Sequence, residues 1–205
     1  MEDSVRDLFY LEKQEAVSRI PNEEVSSVIS RIEAAVEETN INIKECIHFS
    51  TGVLNRIEYH LKRGCSLVAD TRLILGGLNA DLCSKLSVNL KCFLDNPQVI
   101  KQAQYKHVTR AEIAVDIALA LPGPKIMIVG SAPMALKRIL GIHTATPLVE
   151  TTVIAAANGF ANVVEIKERV WDSGLPCIVV RGRNGGVKTA IAMTNVLLNY
   201  VAHKN

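Results

Sequence analysis

Residues 125–140 constrain the fold most strongly, because a single glycine separates a short apolar run from a helical pattern. The run at 126–129 contains no polar residue, which is typical of a parallel strand covered on both faces. Gly130 ends the run, and Ser131 is predicted to cap the following helix, whose first turn accommodates Pro133. The segment therefore predicts a strand, a tight turn and a helix, the repeating unit of an open α/β sheet.

Apolar runs separated by helical patterns continue this unit through most of the chain. Strands are predicted at 65–69, 89–94, 126–129, 152–157 and 177–180, and helices at 22–36, 54–61, 97–106, 109–121, 162–171 and 187–202. Asp70 is predicted to cap a further short helix, and Thr109 with Glu112 forms a capping-box pattern. These elements predict one α/β domain over residues 1–205, with a five-stranded, mostly parallel, doubly wound sheet.

The first 42 residues are predicted to form a helical extension that packs on this domain. Apolar positions recur at helical spacing within 4–19 and again within 25–36. Residues 43–50 fit neither the helical nor the strand period, so no element is assigned to them.

Charge and cysteine content narrow the range of partners. The chain carries 23 basic and 21 acidic residues, a net charge of +2, which argues against nucleic acid or an anionic membrane as the main partner. Five cysteines without regular spacing indicate a reducing compartment. The charged N-terminus lacks a signal-peptide core, and no apolar stretch reaches the roughly 20 residues of a membrane helix. We therefore expect a soluble, cytoplasmic protein.

The turn at 181–189 holds the densest set of candidate ligand-binding residues. Two arginines and Lys188 supply positive charge, and glycines allow close backbone approach at a helix start, which suits phosphate or carboxylate binding. The spacing from Gly182 to Thr189 is that of a P-loop, but Val187 replaces the glycine that lets the backbone wrap a phosphate. A nucleotide site, a plain helix cap and a site for another anion all remain open.

Two single residues are further candidates. His48 has the side chain best suited to proton transfer near neutral pH, although a packed structural histidine is the simpler interpretation of its isolated position. Cys46 and His48 have no second ligand pair at zinc-like spacing, so no metal site is predicted. Arg110 follows an N-cap residue, where its guanidinium either helps the helix N-terminus to bind a carboxylate or remains an exposed surface group.

Several short segments share their order and spacing with one known family. They are Ile47-His48, residues 64–71 with Gly77-Leu78, Thr109-Arg110, residues 129–133 with Ala135-Leu136, Gly159-Phe160, and residues 180–186 with Asn195. Together they resemble the precorrin-8X methylmutase family, which has a cobalt-precorrin-8 counterpart. The family is an α/β homodimer that moves a methyl group from carbon 11 to carbon 12 of a tetrapyrrole, giving hydrogenobyrinate in cobalamin biosynthesis without a cofactor. Its substrate lies near the subunit interface.

The resemblance implies a role for each matching site residue. His48 is implied as the catalytic proton donor, because protonating the conjugated ring near the migrating methyl group lowers the barrier to a 1,5-sigmatropic shift. Peripheral carboxylates of the substrate are implied to bind at Arg110, Thr71, Ser131, Arg183, Gly185 and Gly186. The resemblance implies neither a metal nor a cofactor.

Two other functions remain open. One is a non-catalytic tetrapyrrole carrier, which would bind the product without turning over the substrate. The other is a nucleotide-phosphate enzyme that uses the turn from Gly182 to Thr189, which ATP would then protect.

Overall fold

A six-stranded sheet forms the centre of the structure, a computed structural model that describes residues 23–36 and 43–204. The strands are β1 (Ile47–Phe49), β2 (Ser66–Ala69), β3 (Asn89–Lys91), β4 (Lys125–Val129), β5 (Thr151–Ala155) and β6 (Cys177–Val180). The helices are α1 (Glu23–Ala35), α2 (Ile43–Cys46), α3 (Val53–Lys62), α4 (Arg72–Gly76), α5 (Ala80–Lys85), α6 (Pro97–Lys106), α7 (Arg110–Leu119), α8 (Pro133–Ala145), α9 (Ala161–Asp172) and α10 (Val187–His203).

The strand order is β1-β6-β5-β4-β2-β3, and β2 to β6 are parallel. From β2 the chain moves outward to β3, and it then returns to the other side of β2 to build β4, β5 and β6. The sheet is therefore doubly wound, and its direction of winding changes between β2 and β4. The predicted α/β class with a mostly parallel sheet is confirmed.

The predicted number of five strands is wrong, because β1 adds a sixth strand. β1 runs antiparallel to β6 at the edge of the sheet, where Ile47 pairs with Val180 and Phe49 with Ile178. A strand of three residues is too short to show a period in the sequence. Its conformation follows from pairing with a strand about 130 residues further along the chain.

Helices cover both faces of the sheet. Ile126 and Ile128 of β4 point into a core formed with α1, α3, α4, α5 and α10, whereas Met127 and Val129 point into a second core formed with α7, α8 and α9. All five residues of β4 are buried, as predicted for a strand covered on both faces. In the described part of the chain, no helix is both long and apolar enough to cross a bilayer.

Two predicted helix caps differ from those observed. Thr71, not Asp70, is the N-cap of α4, and its hydroxyl accepts the N–H of Leu73 at 3.4 Å. Ala132, not Ser131, is the N-cap of α8, and it provides no side-chain acceptor. In contrast, the capping box formed by Thr109 and Glu112 at α7 is confirmed.

The predicted N-terminal extension is described only in part. The helix expected at 4–19 lies outside the described residues, whereas α1 is present and buries Val28, Ile29 and Ile32. The Nζ of Lys204, just after α10, binds Glu24 Oε1 of α1 at 2.7 Å and Glu58 Oε2 of α3 at 2.6 Å. This ion cluster joins α1 to α3 and to the end of α10.

Candidate functional site

The carboxyl ends of β2, β4, β5 and β6 meet along one edge of the sheet, here called the carboxyl edge. The segments leaving these strands are 70–71, 130–132, 156–159 and 181–186. Since β1 is antiparallel to β6, its first residue lies at this edge, and His48 lies one residue further in. Ligands of open α/β sheets bind outside such an edge. The predicted site residues are therefore placed where the fold favours binding.

Asp70 occupies the point where the winding of the sheet changes. Its Oδ2 accepts the backbone N–H of Ser131 at 2.7 Å and that of Ala132 at 2.6 Å. Burial raises the pKa of the Asp70 carboxyl, and the backbone N–H groups oppose that shift. The backbone donors of this turn thus already bind an internal carboxylate. The exposed Ser131 side chain remains a predicted substrate ligand.

Asp95 brings two arginines together beside Asp70. Its Oδ2 lies 3.2 Å from Nε of Arg72, and its Oδ1 lies 3.6 Å from Nη1 of Arg110. The side chains of Arg72, Arg110 and Asp95 are 72%, 50% and 48% exposed. Because exposed ion pairs of this kind contribute at most about 1 kcal/mol, a ligand carboxylate can join or replace Asp95 at little cost. Thr71 lies next to this group as the N-cap of α4.

The cavity at this point of the sheet is small. It has a volume of about 20 Å³ and is lined by Asp70, Phe93, Ala111 and Met127, among others. Pockets for small molecules have volumes of roughly 300–1,000 Å³. A large ligand therefore does not fit inside this cavity, and in the part of the chain that the structure describes the predicted site residues lie outside it, along the carboxyl edge.

The glycine turn, defined as residues 182–186, follows β6 and packs against the end of β5. Arg183 O accepts the N–H of Gly159 at 3.3 Å, and the N–H of Gly186 binds Ala156 O. Gly185 has φ +125°, and a Cβ at this position would lie 2.1 Å from Ala156 O. The close packing thus requires glycine at 185, and it leaves Arg183 exposed at the edge.

His48 lies on the face of the sheet that α9 covers. Its ring is 5.6 Å from the ring of Trp171 in an edge-to-face arrangement, and its Nε2 is 3.2 Å from Glu45 O. Because a carbonyl oxygen only accepts, Nε2 carries the hydrogen in the neutral ring, and Nδ1 is the nitrogen that gains the second proton. This contact and the Trp171 ring hold the imidazole in one orientation.

Burial lowers the pKa of His48 below its usual value, and the Arg181 guanidinium lowers it further. The hydrogen bond to Glu45 O and the charge of Glu168 act in the opposite direction. Arg181 is itself held by Glu168 in a two-point ion pair, with Nε 3.0 Å from Oε1. Its guanidinium also lies 5.9 Å from the centre of the Trp171 ring. The imidazolium of His48 is thus a stronger acid than that of a free histidine.

The structure brings the predicted residues into three groups along the carboxyl edge. Thr71 and Arg110 lie near Asp95, Ser131 lies at Asp70, and Arg183, Gly185 and Gly186 form the glycine turn. His48 makes no direct contact with these residues among its described interactions. A single ligand that engages all of them must therefore be as extended as the edge itself.

Our sequence interpretation did not identify several residues that shape the site. Asp95 and Glu168 make ion pairs with residues of other elements, which no local pattern reveals. Arg181 was predicted as part of the positively charged turn, but its pairing with Glu168 was not. Lys167 had a recognisable signal, because it interrupts the apolar stripe of α9 formed by Val163, Ile166 and Val170.

These features describe an α/β protein whose candidate ligand-binding residues are spread along the carboxyl edge of a doubly wound sheet. Residues 10–200 match the family model described as Precorrin-8X methylmutase. The chain belongs to this family, and the resemblance seen in the sequence is confirmed.

Individual relatives agree with this assignment. The chain is 32% identical to the cobalt-precorrin-8 methylmutase of Salmonella typhimurium over 77% of this chain and 73% of the relative. It is 26% identical to the precorrin-8X methylmutase of Pseudomonas aeruginosa over 77% of this chain and 76% of the relative. A solved structure of precorrin-8X methylmutase from Thermus thermophilus matches 98% of this chain and 97% of its own, with 27% identity and a TM-score of 0.78.

Replacing Gly185 by Ala is expected to destabilise the protein by about 2–4 kcal/mol, because the new Cβ meets Ala156 O in a backbone conformation that side chains avoid. Gly182→Ala is the matched control, since φ is +72° there and no atom lies within 4 Å of the added Cβ. Urea unfolding of both variants measures the difference. Equal stability of the two variants would show that the turn does not pack against β5 as described.

Proposed function

We propose that the protein is a precorrin-8 methylmutase that moves a methyl group from carbon 11 to carbon 12 of the ring, giving hydrogenobyrinate in cobalamin biosynthesis. The match of residues 10–200 to the family is the observation that carries this proposal. A methylmutase transfers a methyl group within one molecule, so the enzyme is an isomerase. Relatives named for precorrin-8X and for cobalt-precorrin-8 both match, and either ring is a candidate substrate.

His48 is the proposed proton donor. With Nε2 held by Glu45 O, its Nδ1 delivers the proton to the conjugated ring. Protonation leaves the ring electron-poor, the methyl group migrates to the adjacent carbon, and loss of the proton restores the neutral chromophore. The proton returns to His48, so the overall reaction is an isomerisation. A proton is all that the protein supplies, and the proposed reaction requires no metal or cofactor.

Electrostatics support the role of His48 as an acid. Burial and the charge of Arg181 lower the pKa of His48 in the free enzyme, so its protonated form gives up the proton more readily. A bound substrate with several carboxylates would offset the positive charge of Arg181 and raise the protonated fraction of His48. His48 is then protonated mainly when substrate is bound. This limits transfer of its proton to water.

The carboxylates of the ring are proposed to bind along the carboxyl edge. Arg110 offers a guanidinium already oriented by Asp95, and Arg183 offers a second cation. Thr71, Ser131, Gly185 and Gly186 are the proposed polar contacts. Leu73 and Phe160, which are 71% and 78% exposed, are apolar side chains on the same edge that suit the ring face.

A second copy of the chain is proposed to complete the site. The cavity that the described residues form at the carboxyl edge is small, so these residues of one protomer enclose little of a large ring. We propose a homodimer in the cytoplasm, with no nucleic-acid or membrane partner.

Incubation with precorrin-8X, without added cofactor, is expected to convert its visible spectrum to that of hydrogenobyrinate. Cobalt-precorrin-8 is tested in parallel. A stoichiometric spectral shift without conversion of either ring would contradict the enzyme and favour the carrier. No change with either ring, together with protection of residues 182–189 by ATP in hydrogen exchange, would favour the nucleotide enzyme.

His48→Gln is expected to lower kcat by about 10²–10⁴-fold, because the proton donor is lost. Hydrogenobyrinate, the product, should still bind, since the carboxylate-binding residues are unchanged. Stopped-flow absorbance measures the rate, and equilibrium titration measures the binding. His203→Gln, an exposed histidine at the end of α10, is the control. Turnover by His48→Gln within twofold of the control would exclude His48 as the acid.

The value of kcat/KM is expected to fall as pH rises through the pKa of His48, because the active form is protonated and this pKa is lower than 6.5 in the free enzyme. Arg181→Gln removes a charge that lowers the pKa and leaves Glu168, which raises it. The falling limb should therefore move to higher pH in this variant. Identical profiles for the two proteins would show that His48 does not control the limb.

A further inference from the structure

Lys167 is a lysine in the apolar stripe of α9, and its side chain is fully buried. Its Nζ donates to the backbone carbonyl of Asn184 at 3.0 Å, its only hydrogen bond among the described residues. Burying an amine with one acceptor is costly, so this contact needs an explanation beyond packing. The contact places the lysine directly against the glycine turn.

The Lys167 contact fixes the orientation of one peptide group. The chain has no cis peptide bond among its described residues, so the Asn184 C=O and the Gly185 N–H point in opposite directions. With the carbonyl turned toward Lys167, the Gly185 N–H points away from α9. It has no acceptor among the described residues, whereas the next N–H, that of Gly186, binds Ala156 O.

We infer that Lys167 is a positioning residue that holds the Asn184–Gly185 peptide so that the Gly185 N–H is presented to a carboxylate of the bound ligand. This inference rests on the proposed function for the identity of the ligand. Two contacts position the turn: Lys167 Nζ holds the Asn184 carbonyl, and Ala156 O leaves no room for a side chain at 185.

The same peptide is linked to the segment that carries His48. Asn184 Nδ2 donates to Cys46 Sγ at 3.3 Å, and the N–H of Arg181 donates to Cys46 O at 2.7 Å. Trp171, which packs on His48, lies one helical turn after Lys167 on α9. One helix therefore supports both the ligand-binding turn and the proton donor.

The hydrogen bond from Lys167 does not require the charged form of the amine. Burial lowers the pKa of Lys167 to about 8, while Cys46 and Glu168 act in the opposite direction. A neutral amine still donates an N–H to the Asn184 carbonyl. Lys167 can thus hold the turn on either side of its pKa.

Lys167→Met tests this role, because it keeps an unbranched apolar side chain but removes the donor. Binding of hydrogenobyrinate is followed by the fluorescence of Trp171, the only tryptophan in the chain. We expect the Kd to rise about tenfold and the KM for precorrin-8X to rise with it, while kcat changes less than twofold because His48 is intact. Lys167→Gln, which keeps an N–H donor one bond shorter, should recover part of the affinity. The control is Lys101→Met, at an exposed lysine of α6.

The amide resonance of Gly185 reports the geometry without any ligand. In Lys167→Met this resonance should shift and its hydrogen exchange should change, whereas both should stay unchanged in Lys101→Met. An unchanged Gly185 amide, or a Kd equal to that of the control, overturns the positioning role. If the unmodified protein neither binds hydrogenobyrinate nor converts precorrin-8X, the proposed function fails, and the Gly185 amide still decides whether Lys167 positions the turn.

Discussion

The carboxylate of Asp70 joins the two strands between which the sheet changes its direction of winding. Asp70 follows β2, and the Ser131 and Ala132 N–H groups that it binds follow β4. These N–H groups lie at the start of α8, where helix donors have no partner inside the helix. An internal carboxylate therefore replaces the external anion that such turns often bind. The arginines at Asp95 lie on one side of this contact, and the glycine turn lies on the other.

Helix α9 gives rigid support to parts of the site that lack it locally. β1 has only three residues, and the glycine turn contains backbone conformations that few side chains tolerate. Trp171 packs on the ring of His48, and Lys167 holds the carbonyl of Asn184. Because both side chains project from one helix with regular hydrogen bonding, helix geometry sets the separation between His48 and the glycine turn. The positions of an edge strand and a loop thus depend on contacts with a neighbouring helix.

The sequence predicted correctly those elements whose pattern is complete within a short stretch of the chain. β4 is buried on both faces, and its apolar run showed this directly. The capping box of α7 was visible because Thr109 and Glu112 are only three residues apart. In contrast, β1 depends on pairing with β6, and the cap of α8 depends on Asp70, about 60 residues earlier. These interactions leave no pattern in the nearby sequence. The predicted strand count and two predicted helix caps were therefore wrong.

By itself the sequence determined the α/β class, the family and the residue types available for the site. These follow from periodicity, turn chemistry and the spacing of short motifs, all of which are local along the chain. Only the tertiary structure decided which groups face each other. It paired Arg72 and Arg110 through Asp95, buried Lys167 against the glycine turn, and placed His48 near Trp171 and Arg181. The charge and hydrogen bonding that control these side chains come from residues far away in the sequence, so the folded chain alone defines them.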